Sequence, residues 1–540
     1  MKEIKRNYNY NNPIDIAEAF NKAKTKREKM LSENSISQIT EAELPDDNTE
    51  FFFKNILFFT NDRDSKTNKT LKNLEQAVKG KGVNIYPFVA KEIDYKATDT
   101  KIKFNDNINK YTIDTQSNVD TIVITRLGAQ DSDECVELIK ELQDWGLFVL
   151  NPIESALTAS NKYTSAVLME RYGIPQPKFT LLSANDIAKG EDSLNKKLKL
   201  IYKDLGQDEK ADKKKEYVVK ILDGHGGTGV FMVTGKTILS ILQAIFAIDP
   251  ERELLLQKKE EADGGDIRVH VLTMRTEQKI LASMKRVKIS GDFRSNVSLG
   301  ATAEPVTLTP EQEEIALNVA KISGMPWCAV DIMPLKAGSN PEIGDNVVLE
   351  YNASPGTDGI SEVIGENFMG ILLKEINDIN QLVLQPKSIG YLENVNFTFD
   401  PEDEDEIELE AKFDTGNGAK ATTIGCEKVE QKGHQVIATI EGKEYKFKLE
   451  GESNAIVGQI VEDRPTVLIP CIRIGSRKLL NVECALVDNR NKKQKILINR
   501  DIMGKMAYLI NPAKKHVLED DLLWEFKQKE EEKKQNKGEV

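Results

Sequence analysis

The stretch Tyr217–Val233, with the sequence YVVKILDGHGGTGVFMV, decides the fold of the central part of this chain. Alternating apolar residues on both sides of the glycines predict two strands joined by a tight loop. Glycines leave room for backbone N–H groups to close over a polyphosphate, and Lys220 adds a cation beside them. The four glycines of the loop are Gly224, Gly226, Gly227 and Gly229. Taken alone, a glycine-rich hairpin explains the pattern better, and the lack of a Gly-Lys-Ser/Thr ending excludes a Walker loop.

Acidic and amide side chains form a second group further along the chain. Glu350 and Asn352 stand two residues apart in VVLEYNASPG, so on a strand both side chains leave the same face. With Asp331 in AVDIM they make an all-oxygen set that suits Mg²⁺, or Mn²⁺, bound to nucleotide phosphates. A solvated strand face is the alternative explanation for these three residues.

Arginines lie between these two groups. The segments GGDIRVHVL and MKRVKISGDFRSNVSLGA contain Arg268, Arg286 and Arg294, and Ser295 and Asn296 follow directly. Guanidinium groups bind carboxylates and phosphates with paired hydrogen bonds and stabilise the charge on a transferring phosphoryl group. Because surface arginines are usually only solvated, the position of these three between the other two groups is what indicates a site.

Together these segments resemble a known family. Lys220, the GHGGTGV loop, GGDIR, GDFRSN, AVDI and EYNASPG stand in the order and spacing of ATP-grasp ligases of the RimK type, over about residues 55–385. The resemblance implies two α+β lobes that clasp ATP, with a parallel-sheet domain in front of them. It also implies the activity of that family, which adds glutamates to the C-terminus of a small-subunit ribosomal protein.

The resemblance implies a role for each matching residue. Lys162 and Lys220 would touch the ATP phosphates, and Arg126, in TRLG, would stand near the acceptor entrance. The further residues implied to bind ATP are Gly226, Gly227, Gly229, Gln257, Lys258, Asp266, Arg294, Ser295 and Asn296. Those implied to act on the reacting phosphoryl and acyl groups are Arg268, Arg286 and Arg294, and those implied to hold the metal are Asp331, Glu350 and Asn352. Gln257 replaces the glutamate usual in the family.

The implied chemistry follows from the low reactivity of a carboxylate. ATP converts the carboxylate to an acyl phosphate, and an incoming amine displaces phosphate and forms an amide. The leading hypothesis is therefore a cytoplasmic ATP- and Mg²⁺-dependent ligase that adds glutamate to a protein or peptide C-terminus, with a ribosomal protein as one candidate acceptor. Two alternatives stay open: a ligase for a small-molecule or carrier-protein acceptor, and an aspartyl peptidase with a regulatory ATP-grasp part.

The C-terminal part carries a different signature. Asp414-Thr415-Gly416 follows an alternating strand, and KILINRDIMG occupies Lys495–Gly504. Together they resemble the retropepsin-like domain known as the RimB-type ATP-dependent zinc protease, over about 405–518. Aspartic catalysis needs two carboxylates around one water, so a protease role for Asp414 requires a homo-oligomer that supplies a second copy. Asn499 stands where retropepsins have glycine, and the histidines and cysteines of this region lack metal-ligand spacing, which favours a metal-free domain.

Strands that alternate with helices after Phe51 predict a parallel sheet at the front of the chain, and short strands dominate its end. The overall prediction is an α/β and α+β protein with a C-terminal all-β domain. The predicted segments are an N-terminal extension with a helix (1–50), an α/β domain (51–150), the ATP-grasp domain (151–385), an acidic linker (386–406), the retropepsin-like domain (407–518) and a charged tail (519–540). His270 is predicted to be a structural histidine with satisfied hydrogen bonds.

Composition limits the partners. The chain has 540 residues, 74 lysines and arginines against 87 aspartates and glutamates, and a net charge of -13, so a nucleic-acid-binding footprint over the whole chain is excluded. Hydrophobic residues make up 39% and charged residues 30%, and no long apolar run predicts a membrane span. Five scattered cysteines argue against a disulfide framework and favour a reducing compartment.

Overall fold

The computed structural model describes most of the chain from residue 50 onward. The described ranges are 50–98, 101–114, 120–127, 132–224, 229–275, 277–287, 302–340, 342–384, 386–401, 406–416, 421–457, 460–475, 477–488 and 495–519. The predicted N-terminal helix, almost all of the charged tail and two predicted site segments, 225–228 and 288–301, lie outside these ranges.

The first domain is a parallel α/β sheet, which confirms the prediction from alternating strands and helices. Its elements are β1 (Asn55–Thr60), α1 (Lys69–Val78), β2 (Asn84–Val89), β3 (Asp94–Ala97), β4 (Lys101–Asn105), β5 (Lys110–Asp114), β6 (Thr121–Thr125), α2 (Asp133–Asp144) and β7 (Phe148–Leu150). Four strands lie in the order β2-β1-β6-β7, and each pair is parallel. The central strands β1 and β6 are buried almost throughout, as expected where helices cover both faces.

A small antiparallel sheet of β3, β4 and β5 adds to this domain and was not predicted. The alternation in KIKFN buries Ile102 and Phe104 against the domain core, while the lysines stay exposed. Phe104 packs on Phe59 and Phe88, with ring centroids 6.0 and 5.0 Å away. Strands of four or five residues, rich in lysine and asparagine, give only a weak sequence signal.

The first lobe of the central domain is a four-stranded antiparallel sheet with helices on one face. Helices α3 (Ile153–Ser160) and α4 (Lys162–Arg171) lead into this lobe and pack on the core of the second lobe. The elements of the first lobe itself are β8 (Phe179–Leu182), α5 (Ala184–Ala188), α6 (Glu191–Ile201), α7 (Glu209–Asp212), β9 (Glu216–Ile221), β10 (Val230–Thr234), α8 (Ile238–Ile248) and β11 (Leu254–Lys258). The strand order is β10-β9-β11-β8. Tyr217 and Val219 on β9 are buried in a core with residues of α6 and α8. Because side chains alternate along a strand, Val218 and Lys220 point away from that core.

The second lobe is a five-stranded antiparallel sheet. Its elements are β12 (Gly265–Thr273), β13 (Gln278–Val287), β14 (Thr302–Pro305), α9 (Pro310–Ser323), β15 (Trp327–Pro334), β16 (Asn346–Asn352), α10 (Asp358–Ile364) and α11 (Phe368–Glu375). The strand order is β14-β13-β12-β15-β16. Helix α9 begins with a capping box at Thr309 and ends at Gly324. It packs on the face that carries Val269 and Val330, so the opposite face is left for polar groups.

Where the structure describes it, the C-terminal region is all β apart from one short α-helix and a 3₁₀ turn at Val517–Glu519. Its other elements are β17 (Lys387–Gly390), β18 (Leu392–Thr398), β19 (Ile407–Phe413), β20 (Thr422–Cys426), β21 (Lys428–Lys432), β22 (Gln435–Ile440), β23 (Lys443–Lys448), β24 (Gly451–Val457), β25 (Ile460–Ile474), β26 (Arg477–Asp488), β27 (Ile496–Ile498), α12 (Arg500–Lys505) and β28 (Tyr508–Asn511). The main sheet has the order β18-β19-β27-β20-β26-β25-β24, and β18 also pairs with β25. This extra pairing closes a barrel, and the all-β prediction for the region is confirmed.

The segment 386–406, predicted as an acidic linker, differs from that prediction. It contains β17, which pairs in parallel with β28, and β18, which pairs with β19 and β25. Alternation along β18 buries Val395 and Phe397 in the barrel core, and this signal was outweighed by the acidic run that follows. The barrel therefore begins well before residue 407.

The barrel and the first domain both contact the central domain, in one compact unit that starts at Thr49. Asn367 donates from Nδ2 to the carbonyl of Asn73 at 2.7 Å and so joins α11 to α1. Asn380, in a 3₁₀ turn at Ile379–Gln381, donates to the carbonyl of Leu480 on β26 at 3.2 Å. Within the described ranges, no helix has the length and apolarity needed to cross a bilayer.

Candidate functional site

The polar face of the second lobe brings several predicted site residues together. Arg268 on β12 lies opposite Asp331 on β15, and Asp331 lies opposite Glu350 on β16. Asp266 lies opposite Arg286 on β13. Residues directly opposite each other in an antiparallel sheet project from the same face, so these five side chains form one cluster.

Asp331 is the centre of this cluster and is 1% exposed. Its Oδ1 accepts a hydrogen bond from Arg268 Nε and its Oδ2 one from Arg268 Nη2, both at 2.8 Å. Arg286 Nη2 lies 2.9 Å from the same Oδ2 and also contacts Asp266. Burial acts to raise the pKa of the Asp331 carboxyl, but the two guanidinium groups outweigh it and hold this pKa well below its usual range. The carboxylate is therefore charged under all ordinary conditions.

The arginines are consequently engaged by protein carboxylates. Arg286 Nε donates to Asp266 Oδ1 at 3.0 Å, and both side chains are almost fully buried. Burial acts to lower the pKa of Arg286, whereas Asp331 and Asp266 raise it above its ordinary value. The sequence had suggested these arginines as direct clamps for phosphate. The structure places them around Asp331 and Asp266, where they neutralise charge and fix the geometry of the strands.

Two further oxygen donors lie beside Asp331. Asn352 projects from the same face of β16 as Glu350, as the two-residue spacing predicted, and its Nδ2 lies 3.5 Å from Asp331 Oδ2. Glu350 is half-buried and has no hydrogen bond or ion pair with any residue in the described ranges. Within the same ranges no group of three or more histidine, cysteine, aspartate or glutamate side chains could hold a metal ion. Two carboxylates and one amide oxygen, completed by phosphate and water, are nevertheless a donor set that fits Mg²⁺.

The first lobe contributes Lys220 from the face of β9 that is turned away from its core. Val218 and Lys220 lie opposite Met232 and Val230 on β10, and Gln257 on β11 lies opposite Val218. Burial lowers the pKa of the Lys220 amine to about 8, partly opposed by Glu350 and Asp331 of the second lobe and reinforced by Lys162. Lys220 of the first lobe thus lies within electrostatic reach of Glu350 and Asp331 of the second lobe, and the space between the two lobes is the candidate cleft.

An apolar platform next to Lys220 was not singled out from the sequence. Val218 and Met232 lie on the same face as Lys220, and Met232 is 43% exposed. A flat heteroaromatic ring could stack there while its polar edge meets Gln257, which is 3% exposed. The alternation in YVVKI and VFMV carries the signal, because every second residue belongs to this face.

Glu260 is another residue that was not singled out from the sequence. Its carboxylate is buried, and it accepts from Lys258 Nζ at 3.1 Å and from Asn340 Nδ2 at 2.9 Å. Lys258 was predicted to bind nucleotide, and it does lie at the end of β11 next to Gln257. Its ammonium is held by Glu260, so the backbone of this strand is better placed than the side chain to meet a base.

The glycine-rich turn is described only at its two ends. Lys162, at the start of α4, donates from Nζ to the carbonyl of Gly224. Gly229 has φ +74, and an added Cβ would lie 2.7 Å from Ile221 Cδ1, so only glycine fits there. Gly226, Gly227, Arg294, Ser295 and Asn296 lie outside the described residues. Their predicted roles at the nucleotide remain predictions.

The first domain reaches the cluster through the end of β6. Arg126 follows Thr125, and its Nη1 donates to the carbonyl of Pro355 at 2.6 Å. Burial and the nearby Arg268 lower the pKa of Arg126 to about 10. No carboxylate within the described ranges forms an ion pair with Arg126.

His270 is buried behind the cluster, and the prediction of satisfied hydrogen bonds was wrong. Neither ring nitrogen has a hydrogen-bond partner among the described residues. The ring packs against Phe368 and Trp327, with centroid distances of 4.6 and 6.2 Å. Burial, reinforced by Arg268, lowers the pKa of His270 to about 3, so the ring is neutral.

The barrel places Asp414 at the end of β19. The backbone N–H of Asp414 donates to the carbonyl of Ile498 on β27 at 3.1 Å, and Asp414 Oδ1 accepts from the backbone of Gly416 at 3.0 Å. Asn499 is 1% exposed and caps α12 by accepting from Ile502 at 3.1 Å. The amide found in place of the usual glycine therefore has a structural role in this turn.

Comparison with known proteins finds relatives of the central part of the chain. A model of the RimK-like ATP-grasp domain matches residues 159–376. The chain is 30% identical over 301 residues to a probable alpha-L-glutamate ligase of Vibrio atlanticus, covering 55% of this chain and 87% of that protein. It is 32% identical over 254 residues to a protein of the same description in Psychromonas ingrahamii, and the match covers 47% of this chain and 74% of that protein. The solved D-alanyl-alanine synthetase A of Vibrio cholerae aligns with a TM-score of 0.43 and 16% identity, over 61% of this chain and 99% of that one.

The fold and these sequence matches thus define an ATP-dependent ligase that forms amide bonds. More particularly, the chain belongs to the family of RimK-like ATP-grasp proteins. The family expected from GDIR, AVDI and EYNASPG is therefore confirmed for the central domain.

Proposed function

We propose that this protein ligates glutamate to the C-terminal carboxylate of a protein or peptide through an acyl phosphate. The observation that carries the proposal is the facing of Lys220 and the Asp331–Glu350 pair across one cleft, with Arg126 at its edge. Relatives described as probable alpha-L-glutamate ligases support glutamate as the amino acid. Four described site residues differ from the roles expected from the sequence. Arg268 and Arg286 hold Asp331, while Asp266 pairs with Arg286 and Lys258 pairs with Glu260.

The proposed reaction has two steps. The acceptor carboxylate oxygen attacks the γ-phosphorus of ATP, a new O–P bond forms, and ADP leaves. The amine nitrogen of glutamate then attacks the acyl carbon, the C–N bond forms, the C–O bond to phosphate breaks, and the amine loses a proton to phosphate or solvent. No enzyme nucleophile takes part, so positioning and electrostatic stabilisation are the work of the protein.

Different residues of the chain would position the substrates and stabilise the developing charge. The Lys220 ammonium, with Lys162 beside it, offsets negative charge on the phosphates, and the Val218–Met232 platform supports the base. Glu350, Asp331 and Asn352 would hold Mg²⁺, which when bound neutralises the phosphate oxygens. Arg126, which lacks a carboxylate partner in the described ranges, would bind the carboxylate of the acceptor or of glutamate.

Mass spectrometry tests the proposal directly. Candidate acceptors are incubated with the protein, ATP, Mg²⁺ and glutamate, and increments of about 129 Da are expected on the true acceptor, since function is settled by site chemistry and not by fold. Lys220→Ala and Asp331→Ala should abolish both the increments and the release of ADP. Turnover that persists in both variants would reject the site. A ribosomal protein, a small molecule and a carrier protein are the acceptor classes to compare.

A second activity is proposed for the barrel. The turn of Asp414-Thr415-Gly416 lies beside β27, which lies between β19 and β20, and this arrangement supports a retropepsin-like domain. Such a domain would cleave peptides only as a homodimer that pairs two copies of Asp414. Peptide cleavage and ADP release are measured separately on Asp414→Ala and Asp331→Ala. If Asp414→Ala removed ligation as well, the barrel would be part of the ligase and not a separate peptidase. The cytoplasmic location stays a prediction.

A further inference from the structure

The side chain of Asn151 joins two strands of the second lobe, β15 and β16, that carry site residues. It follows β7, is 0% exposed, and projects between the start of β15 and the end of β16. Its Nδ2 donates to the carbonyls of Trp327 at 2.5 Å and Ala353 at 2.6 Å, and its Oδ1 accepts from the backbone N–H of Trp327 at 3.0 Å. One amide thus makes three hydrogen bonds to the backbone of the second lobe.

The same residue is tied to β6 of the first domain. Its backbone N–H donates to Thr125 Oγ1 at 3.1 Å, and that hydroxyl lies 3.2 Å from the carbonyl oxygens of Leu150 and Asn151. Thr125 directly precedes Arg126, whose guanidinium reaches Pro355 just beyond β16. Asn151 therefore links the strand end that presents Arg126 to the two strands that present Asp331 and Glu350.

The chemistry of the amide explains why asparagine is used. The β15–β16 ladder runs as far as the pair Ala329 and Asn352, and beyond it Trp327 has no partner on β16. The amide has two N–H donors and a separate acceptor oxygen, so it can serve all three backbone groups, whereas a carboxylate has no donor and a hydroxyl has only one. Buried backbone groups left without partners are unfavourable, so the three hydrogen bonds favour this position of Asn151.

We propose that Asn151 is a positioning residue of the ligase, which sets the distance between Arg126 and the Asp331–Glu350 pair. The proposal rests on the proposed function, because it treats Arg126 as the anchor of a substrate carboxylate. Loss of the bridge should misplace the substrate relative to the phosphates while the ATP cleft itself stays intact. Misplacement by about 1 Å is enough to reduce turnover by about a hundredfold.

The test compares two buried asparagines that both form hydrogen bonds with the second lobe. Asn346 lies at the other end of β16, is 4% exposed, and bonds to Gln312 and Glu311 and not to the first domain. Asn151→Ser is expected to lower kcat for ADP release with acceptor and glutamate by tenfold or more and leave KM for ATP within about twofold. Asn346→Ser, at a similar loss of Tm, should leave kcat within about twofold. Equal losses of kcat in the two variants would overturn the proposal.

Thr125 provides an independent pair of variants if Asn151→Ser does not fold. Thr125→Val removes the hydroxyl at nearly constant volume and is expected to lower kcat. Thr125→Ser keeps the hydroxyl and should keep kcat near the wild-type value. Full activity of Thr125→Val would contradict the proposal. The pair also separates loss of the hydrogen bonds from loss of side-chain volume.

Hydrogen exchange separates this proposal from the proposed function. The backbone N–H of Trp327 donates to Asn151 Oδ1, so its exchange should accelerate by about tenfold or more in Asn151→Ser and stay unchanged in Asn346→Ser. If the wild-type protein released no ADP with any carboxylate and amine, the proposed function would fail and exchange would still test the bridge. Unchanged exchange at Trp327 would overturn the bridge itself.

Discussion

The guanidinium of Arg268 lies against the carboxylate of Asp331, with two parallel hydrogen bonds of 2.8 Å between neighbouring strands. This pairing determines which charges of the cleft are left for ligands. Asp331 and Asp266 together balance the charges of Arg268 and Arg286, whereas the side chains of Lys220 and Glu350 have no hydrogen bond or ion pair in the described ranges. The paired charges thus lie at the centre of the cleft, and Lys220 and Glu350 lie at its two margins.

Removal of Arg268 should destabilise the protein as well as inactivate it. Arg268→Leu leaves a buried carboxylate with only one arginine, so the free energy of unfolding should fall by about 3 kcal/mol. Urea unfolding measures this loss. As a matched control, Lys336→Leu removes the ion pair between Lys336 and Glu261. The charged atoms of this pair lie 3.3 Å apart and both side chains are exposed, so the free energy of unfolding should fall by less than about 1 kcal/mol. Equal losses in the two variants would mean that the Asp331 pair is no stronger than a surface pair.

The affinity for ATP should depend on pH through Lys220. Burial lowers the pKa of this amine from 10.5 to about 8, so the free protein loses the ammonium charge as the pH rises through 8. Phosphate binding needs the charged form, and KM for ATP is therefore expected to increase steadily between about pH 7.5 and 9.5. Lys220→Arg keeps its charge over this range and should show a flat profile if it binds ATP. A parallel rise in both proteins would assign the pH effect to another group.

Sequence patterns predicted the members of the site better than their contacts. Two-residue spacing was enough to place Glu350 and Asn352 on one face, because side-chain alternation is a local property of a strand. Pairing of Arg268 with Asp331 depends on register between strands that are 63 residues apart in sequence, which local patterns do not encode. The hydrogen bonds of Asn151 also join segments that are distant in sequence, so local patterns did not predict them. At β18, the alternation was visible, but the adjacent acidic run dominated the interpretation.

Gly229 should tolerate no side chain. Its φ of +74 disfavours other residues, and an alanine Cβ would also meet Ile221 at 2.7 Å. Gly229→Ala is expected to weaken ATP binding by about tenfold or more and to lower stability by about 1–2 kcal/mol, because the turn beside Lys220 must shift. Gly338→Ala is the control, since its φ is +73 and nothing lies within 4 Å of the added Cβ. If both variants behaved alike, strain alone and not the clash would explain the requirement.

Glu350 should determine the requirement for Mg²⁺. Glu350→Gln keeps the size of the side chain and an oxygen donor but removes its charge, so the Mg²⁺ concentration for half-maximal ADP release should rise by about tenfold or more. Because Glu350 has no ion pair within the described ranges, the substitution should change Tm little. Glu342→Gln in the same lobe removes a charge that is 64% exposed and paired with Lys178, and it should leave the Mg²⁺ dependence unchanged. An unchanged Mg²⁺ requirement in Glu350→Gln would exclude this carboxylate as a ligand and leave Asp331, already bound by two arginines, as the one acidic donor of the predicted set. Such a result would favour a metal held mainly by the phosphates, and the Mg²⁺ dependence of ATP binding alone, measured without acceptor, would then be the same in the variant and the wild-type protein.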